Sequence, residues 1–149
     1  MWSLNDTLCA GEQANNFYLT NVKSGYGTYE VMANANNYIS DAIVRLFDDE
    51  TIGGSDAMTF AFRPSGTDNP GWSINVGDFN YNENSFSIQR NQWFKIKIEI
   101  SPTSLVIYIN DSELKRFDDY TFSLPSSEGY FKLGASYSSY FDNMSYTPL

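Results

Sequence analysis

Apolar and polar residues alternate along most of this chain, which is the pattern of strands that bury one face. In the segment 93–100, apolar side chains at even positions are separated by Lys95, Lys97 and Glu99. The turn-forming segment 101–104 leads into a second apolar run at 105–109, which the dipeptide Asn110-Asp111 closes. The two runs therefore predict a β-hairpin with one buried and one solvated face.

The same alternation recurs between turn-rich segments elsewhere, whereas apolar residues at helical spacing are nearly absent. Roughly ten to twelve short strands predict an all-β, two-sheet antiparallel sandwich of the jelly-roll type. We expect one domain over residues 1–149, with an irregular N-terminal segment at 1–16. The further predicted strands are 28–33, 42–47, 57–63, 72–77, 130–135 and 140–146.

Composition narrows the function classes. Nine basic and 18 acidic residues give a net charge of −9, which repels nucleic acid and anionic membranes and favours neutral ligands. The chain contains no His and a single Cys, Cys9, which excludes most hydrolytic triads, most zinc sites and a disulfide framework. Abundant Asn, Tyr, Ser and Gly with few charges is typical of secreted, glycan-handling domains. We therefore expect an extracellular protein.

Three segments carry a resemblance to a known superfamily. They are 25–31 (Gly-Tyr-Gly-Thr-Tyr-Glu-Val), 92–98 followed by 107–111, and 140–145 (Tyr-Phe-Asp-Asn-Met-Ser). Their order over about residues 25–148 resembles the concanavalin A-like lectin/glucanase superfamily. This group includes laminarin-type glucanases, alginate-lyase-like enzymes, laminin-G-like domains and carbohydrate-binding modules. The resemblance implies a ligand that lies across a concave sheet face.

The enzymes of this superfamily differ from the chain at their catalytic strands. Glucanases carry three carboxylates at alternate positions of one strand, because a nucleophile and an acid must flank the glycosidic bond. The corresponding segment here, 56–62, has one carboxylate, Asp56, followed by mostly apolar residues. The segment 130–137 is similar to an alginate-lyase strand, but Ser136 stands at the position of the catalytic Tyr and Tyr137 is displaced by one residue. The lyase His has no counterpart.

Candidate ligand contacts are the polar side chains opposite the apolar phase of each strand, together with aromatic side chains that could stack on a sugar ring. Trp72 and Trp93 are expected to pack in the core or at a strand start. Tyr81 is expected in an exposed polar loop. The predicted ligand-binding residues are Glu30, Thr59, Arg63, Asn75, Tyr81, Tyr130, Lys132 and Tyr137.

A near-terminal Asp resembles one that ligates structural calcium in related sandwiches. Asp142 occupies this place, and Asp6, Glu12 and Asn16 are candidates for the further oxygen ligands that calcium needs. No cofactor is otherwise expected.

The sequence favours a non-catalytic carbohydrate-binding module that recognises a polysaccharide or oligosaccharide and is accessory to a secreted, glycan-degrading catalytic domain in a longer chain. One alternative is a polysaccharide lyase or glycoside hydrolase with an unrecognised active site, built from Tyr130, Tyr137, Lys132, Arg63 and Glu30. The other is an adhesion or structural domain of the laminin-G type.

Overall fold

A computed structural model describes residues 2–4, 8–10, 16–48, 57–120, 129–135 and 139–149. The described ranges include no helix that could cross a membrane. Their secondary structure consists of thirteen strands. These are β1 (Trp2–Leu4), β2 (Leu8–Ala10), β3 (Asn16–Lys23), β4 (Gly27–Ala35), β5 (Ala42–Asp48), β6 (Met58–Arg63), β7 (Gly71–Val76), β8 (Phe79–Glu83), β9 (Phe94–Ile100), β10 (Ser104–Ile109), β11 (Ser112–Asp118), β12 (Tyr130–Ala135) and β13 (Ser139–Pro148).

The strands form two antiparallel sheets that pack face to face. The front sheet has the order β3-β12-β5-β6-β7-β8. The back sheet has the order β1-β13-β4-β9-β10-β11, and β2 also pairs with β13. This arrangement confirms the predicted all-β sandwich. Because sequential strands such as β4 and β5 lie in different sheets, the order along the chain does not give the order in space.

The core lies between the two sheets and is built from the apolar phase of each strand. Phe60 and Phe62 of β6 and Phe94 of β9 are fully buried, and Phe62 meets Phe94 edge to face with 6.4 Å between ring centroids. Burial alternates strictly along β9, as its sequence predicts. Each buried Phe removes a large apolar area from water, which stabilises the fold and fixes the face that every strand turns outward.

Two-residue turns close the hairpins at the free edge of each sheet. Asn110 and Asp111 both have positive φ, 50° and 68°, and join β10 to β11 as the sequence predicts. Gly77, with φ 55°, and Asp78 join β7 to β8. The edge strands β8 and β11 then meet across the sandwich, where Phe79 and Phe117 pack edge to face at 5.8 Å.

Several strands lie where the sequence analysis expects none. The segment 78–84 is predicted as a polar loop, but Phe79–Glu83 forms β8. Two short strands, β1 and β2, lie within the segment expected to be irregular and pair with β13. β1 and β2 depend on a partner at a distant place in the chain, which single-segment periodicity does not reveal, whereas β8 pairs with the neighbouring β7.

Candidate functional site

The outer face of the front sheet carries side chains that lie in register across its strands, and those on β7 and β8 are polar. Positions that face outward on neighbouring strands lie side by side, because the strands are paired without a shift in this part of the sheet. One such row is Lys132, Arg45, Thr59, Asn75 and Asn80, and the next is Gly134, Ile43, Ala61, Ser73 and Asn82.

A shallow depression of about 310 Å³ lies on this face beside the free edge of the sheet. Its lining consists of five asparagines, one serine and one arginine, with no apolar side chain among them. The volume is at the lower end of the range of small-molecule sites, about 300–1,000 Å³. The lining residues are Arg63, Asn69, Ser73, Asn75, Asn80, Asn82 and Asn84.

The loop between β6 and β7 borders one end of the depression and is held by hydrogen bonds. The Nε of Arg63 donates to the carbonyl oxygen of Asn69 over 2.9 Å. The backbone N–H of Asp68 donates to the carbonyl oxygen of Tyr38 over 2.8 Å, which joins this loop to the one that follows β4. The Tyr38 side chain is exposed beside it. The bond from Nε restrains the Arg63 side chain against the loop.

The chemistry of the lining is that of hydroxyl recognition. Each Asn amide offers two donors and one acceptor group, and the guanidinium of Arg63 adds further donors. Side chains on paired strands are held more precisely than side chains on loops. Hydrolysis of a glycosidic bond by the common mechanisms needs two carboxyl groups. The seven lining residues include none, and the outward positions of β6 are Thr59, Ala61 and Arg63.

Three predicted ligand-binding residues come together here. Arg63 and Asn75 line the depression, and Thr59 is the cross-strand neighbour of Asn75. Lys132 shares their row but lies three strands from Asn75, which is about 14 Å, and only 3% of it is exposed. Tyr130 pairs with Asp48 at the far end of β5 and is remote from the depression.

The structure corrects the placement of two predicted residues. Glu30 lies on β4 in the back sheet, opposite Lys97, and so faces away from Arg63 and Lys132. Tyr81 belongs to β8 and points toward the sandwich interior, where its ring packs against Trp72 at 5.4 Å and Phe117 at 5.5 Å. Tyr137 lies outside the described residues. The alternative active site that includes Glu30 is therefore not assembled.

Glu30 takes part in a charged surface on the back sheet. Lys97 forms an ion pair with Glu99 over 3.1 Å and lies over the Tyr108 ring at 4.9 Å. The hydrogen bond to Glu99 raises the pKa of the Lys97 ammonium, and the charges of Glu99 and Glu30 act in the same direction. This surface is charged and internally paired, in contrast to the amide-lined depression on the front sheet.

The predicted calcium ligand Asp142 lies on β13, next to a bulge in its pairing with β4. Its Oδ1 accepts a hydrogen bond from the N–H of Asn143 over 2.8 Å. Asp6 and Glu12 fall outside the described residues, and Asn16 belongs to the other sheet. In the part of the chain that the structure describes, no three His, Cys, Asp or Glu residues are grouped to hold a metal.

Five lining residues are not among the predicted ligand-binding residues: Ser73, which lies on a predicted strand, and the asparagines Asn69, Asn80, Asn82 and Asn84. A signal was available for two of the asparagines, since Asn80 and Asn82 alternate with Phe79 and Tyr81 directly after a Gly-Asp dipeptide. That combination is typical of a tight hairpin with a polar outer face. Asn69 and Asn84 come from loops, and only the packing of those loops brings them to the depression.

No protein-family model and no curated protein matches the sequence. Solved structures do match over most of the chain. The carbohydrate-binding module CBM66 from Bacillus subtilis has a TM-score of 0.68 and 15% identity, covering 91% of this chain and 83% of that one.

Two further matches have other functions. A prokaryotic β-1,3-1,4-glucanase (lichenase) derived from a mouse hindgut metagenome has a TM-score of 0.68 and 17% identity. The match covers 96% of this chain and 79% of the glucanase chain. The Caenorhabditis elegans galectin LEC-6 has a TM-score of 0.60 and 10% identity, with 95% of each chain covered. At these identities the matches show a shared fold.

Proposed function

We propose that this chain, which has the concanavalin A-like lectin/glucanase fold, is a carbohydrate-binding domain whose ligand occupies the depression on the front sheet. The observation that carries the proposal is the lining itself, which consists of amide, hydroxyl and guanidinium groups, five of the seven on paired strands. A sugar hydroxyl both donates and accepts hydrogen bonds, and these groups supply partners for both roles. The similar structures include a carbohydrate-binding module, a glucanase and a galectin, which supports a glycan as the ligand class.

The ligand of the proposed site is a neutral oligosaccharide or polysaccharide. The seven lining side chains carry a single positive charge, that of Arg63, while the chain as a whole has a net charge of −9. Away from Arg63, the net negative charge of the protein would repel an acidic polymer. A shallow contact also buries little area, so we expect dissociation constants of about micromolar to millimolar. Weak contacts of this kind suit an extracellular module attached to a catalytic domain, where several contacts act together.

Titration of the labelled protein with a glycan panel tests the proposal. Suitable probes are oligosaccharides of mixed-linkage β-1,3-1,4-glucan, laminarin, cellulose and chitin. Binding is monitored through the backbone and side-chain amide NMR signals of the protein. We expect shifts at Asn75, Asn80 and Asn82. Asn75→Ala and Asn82→Ala should each weaken binding about three- to tenfold, the effect of one lost hydrogen bond.

Thr147→Ala provides the control, because Thr147 is exposed on the back sheet. It should leave the affinity unchanged. Absence of amide shifts in the depression with every glycan would refute the site. The same mixtures should also be analysed for shortened or unsaturated products, because steady turnover would show an enzyme in place of a binding domain.

A further inference from the structure

Three residues lie side by side at one end of the outer face of the back sheet. Asn34 of β4 and Tyr140 of β13 are direct cross-strand partners. On the other side of β4, Ala33 pairs with Phe94 of β9, and the carbonyl oxygen of Ala35 accepts a hydrogen bond from the N–H of Asn91 over 2.9 Å. The two residues between these pairs, Gln92 and Trp93, therefore both lie opposite Asn34. Phe94 is buried in the core, whereas Trp93 directly before it is 41% exposed, so we place the Trp93 side chain on the outer side of the sheet. The order across the sheet is Trp93, Asn34, Tyr140.

The Asn34 amide in the middle of this group is buried without a hydrogen bond to its oxygen. Its neighbours Ala33 and Ala35 point into the core, so its own side chain points to the outer face, yet only 7% of the residue is exposed. The Oδ1 atom is inaccessible and has no hydrogen-bond partner in the structure. Buried polar atoms are rarely left unsatisfied, and such an atom indicates a missing partner.

The two aromatic residues beside Asn34 are unusually exposed for their type. Trp93 is 41% and Tyr140 36% exposed. Within the described residues, no hydrogen bond or ring contact holds either side chain. Because the Asn34 oxygen is inaccessible, a ligand hydroxyl can reach it only after a neighbouring side chain, such as one of these exposed rings, changes its χ1 rotamer.

We propose that Trp93, Asn34 and Tyr140 form a second glycan-binding site on the face opposite the depression. The rings lie two strands apart, about 10 Å, so each can stack against a different sugar unit of one chain. A hydroxyl between these units donates its proton to Asn34 Oδ1. The proposal rests on the proposed function only in that the ligand is a glycan, since none of the three residues lines the depression.

The composition of the group favours a sugar over a protein surface. Two separate rings around a polar amide match the alternating apolar faces and hydroxyls of a sugar chain. The next row of outward residues on the same three strands is Asp142, Met32 and Lys95. It places a carboxylate and an ammonium group beside Trp93, Asn34 and Tyr140. A stable protein interface would need a broader apolar area at its centre.

NMR signals of the Trp93 indole and the Tyr140 ring test the second site with the same four oligosaccharide series. We expect both signals to shift at millimolar ligand. Trp93→Ala and Tyr140→Ala should each reduce the affinity measured at these signals about two- to tenfold. The matched control is Tyr26→Ala, an exposed aromatic at the other end of β4, which should have no effect.

Asn34→Leu separates binding from folding. Because the Asn34 oxygen has no partner in the free protein, an apolar side chain of similar size should preserve the melting temperature while it abolishes the Tyr140 shift.

Shifts confined to Asn75, Asn80 and Asn82 would overturn the second site and leave the first intact. Shifts at Trp93 and Tyr140 with a silent depression would do the reverse, and silence at both places would overturn both. Dimer formation that Trp93→Ala abolishes would also overturn the second site.

Discussion

At the scale of single residues, Tyr29 shows how the core accommodates a polar group. Its ring stacks on Tyr146 at 4.5 Å and meets Phe131 edge to face at 5.1 Å. Its hydroxyl donates to the carbonyl oxygen of Gly25 and accepts from the Gly25 N–H, both over 2.7 Å. Burial raises the pKa of the Tyr29 phenol well above its ordinary value, because the phenolate would lose its hydration.

This shift predicts a loss of stability at high pH. Above about pH 10 the unfolded chain releases the Tyr29 proton while the folded chain retains it, so the free energy of unfolding falls as pH rises, by up to about 1.4 kcal/mol per pH unit. Tyr29→Phe should cost about 1–3 kcal/mol at pH 7, because Gly25 loses its partner. Urea unfolding at pH 7, 10 and 11 should show that cost shrinking at high pH. Tyr38→Phe is the control at an exposed position, and its free energy of unfolding should fall at alkaline pH as much as that of the wild type. If the free energy of unfolding depended equally on pH in all three proteins, the prediction would be contradicted.

At the scale of elements, the β7–β8 hairpin shapes the edge of the depression. Gly71 has φ 145°, and a Cβ there would lie 2.2 Å from the carbonyl oxygen of Glu83. Only glycine allows β7 and β8 to approach this closely. The outward amides of Asn80 and Asn82 depend on that approach for their distance from Ser73 and Asn75.

We therefore expect Gly71→Ala to damage both stability and binding. Its steric and backbone strain should lower the free energy of unfolding by about 1–3 kcal/mol and move the amide signals of Asn80 and Asn82 before any ligand is added. Gly77→Asn is the matched control in the same hairpin, since φ 55° suits Asn and nothing lies within 4 Å of the added Cβ. Chemical unfolding and NMR compare the two variants. Equal stabilities would show that the approach of β8 does not require glycine.

At the scale of the whole molecule, the net charge of −9 should separate neutral from acidic ligands. A neutral glucan carries no charge for salt to screen, so its affinity should stay constant between about 0.05 and 0.5 M sodium chloride. Alginate should bind more weakly at low salt and gain affinity as salt screens the repulsion. Calorimetric titrations at both salt concentrations provide the measurement. Tight alginate binding at low salt that weakens with added salt would indicate a locally cationic site instead.

The sequence by itself determined which side of the strands it predicted is buried, because alternation depends only on neighbouring residues. From that phase, Thr59, Arg63 and Asn75 could be assigned to outward positions, and Asn110-Asp111 to a turn. The tertiary structure decided which strands share a sheet. All strands offer the same backbone hydrogen-bonding groups, so pairing follows from the packing of the whole core, and it placed Glu30 on the back sheet and added Asn80 and Asn82 beside Asn75. A local pattern fixes the face of a side chain, whereas only long-range pairing fixes its neighbours.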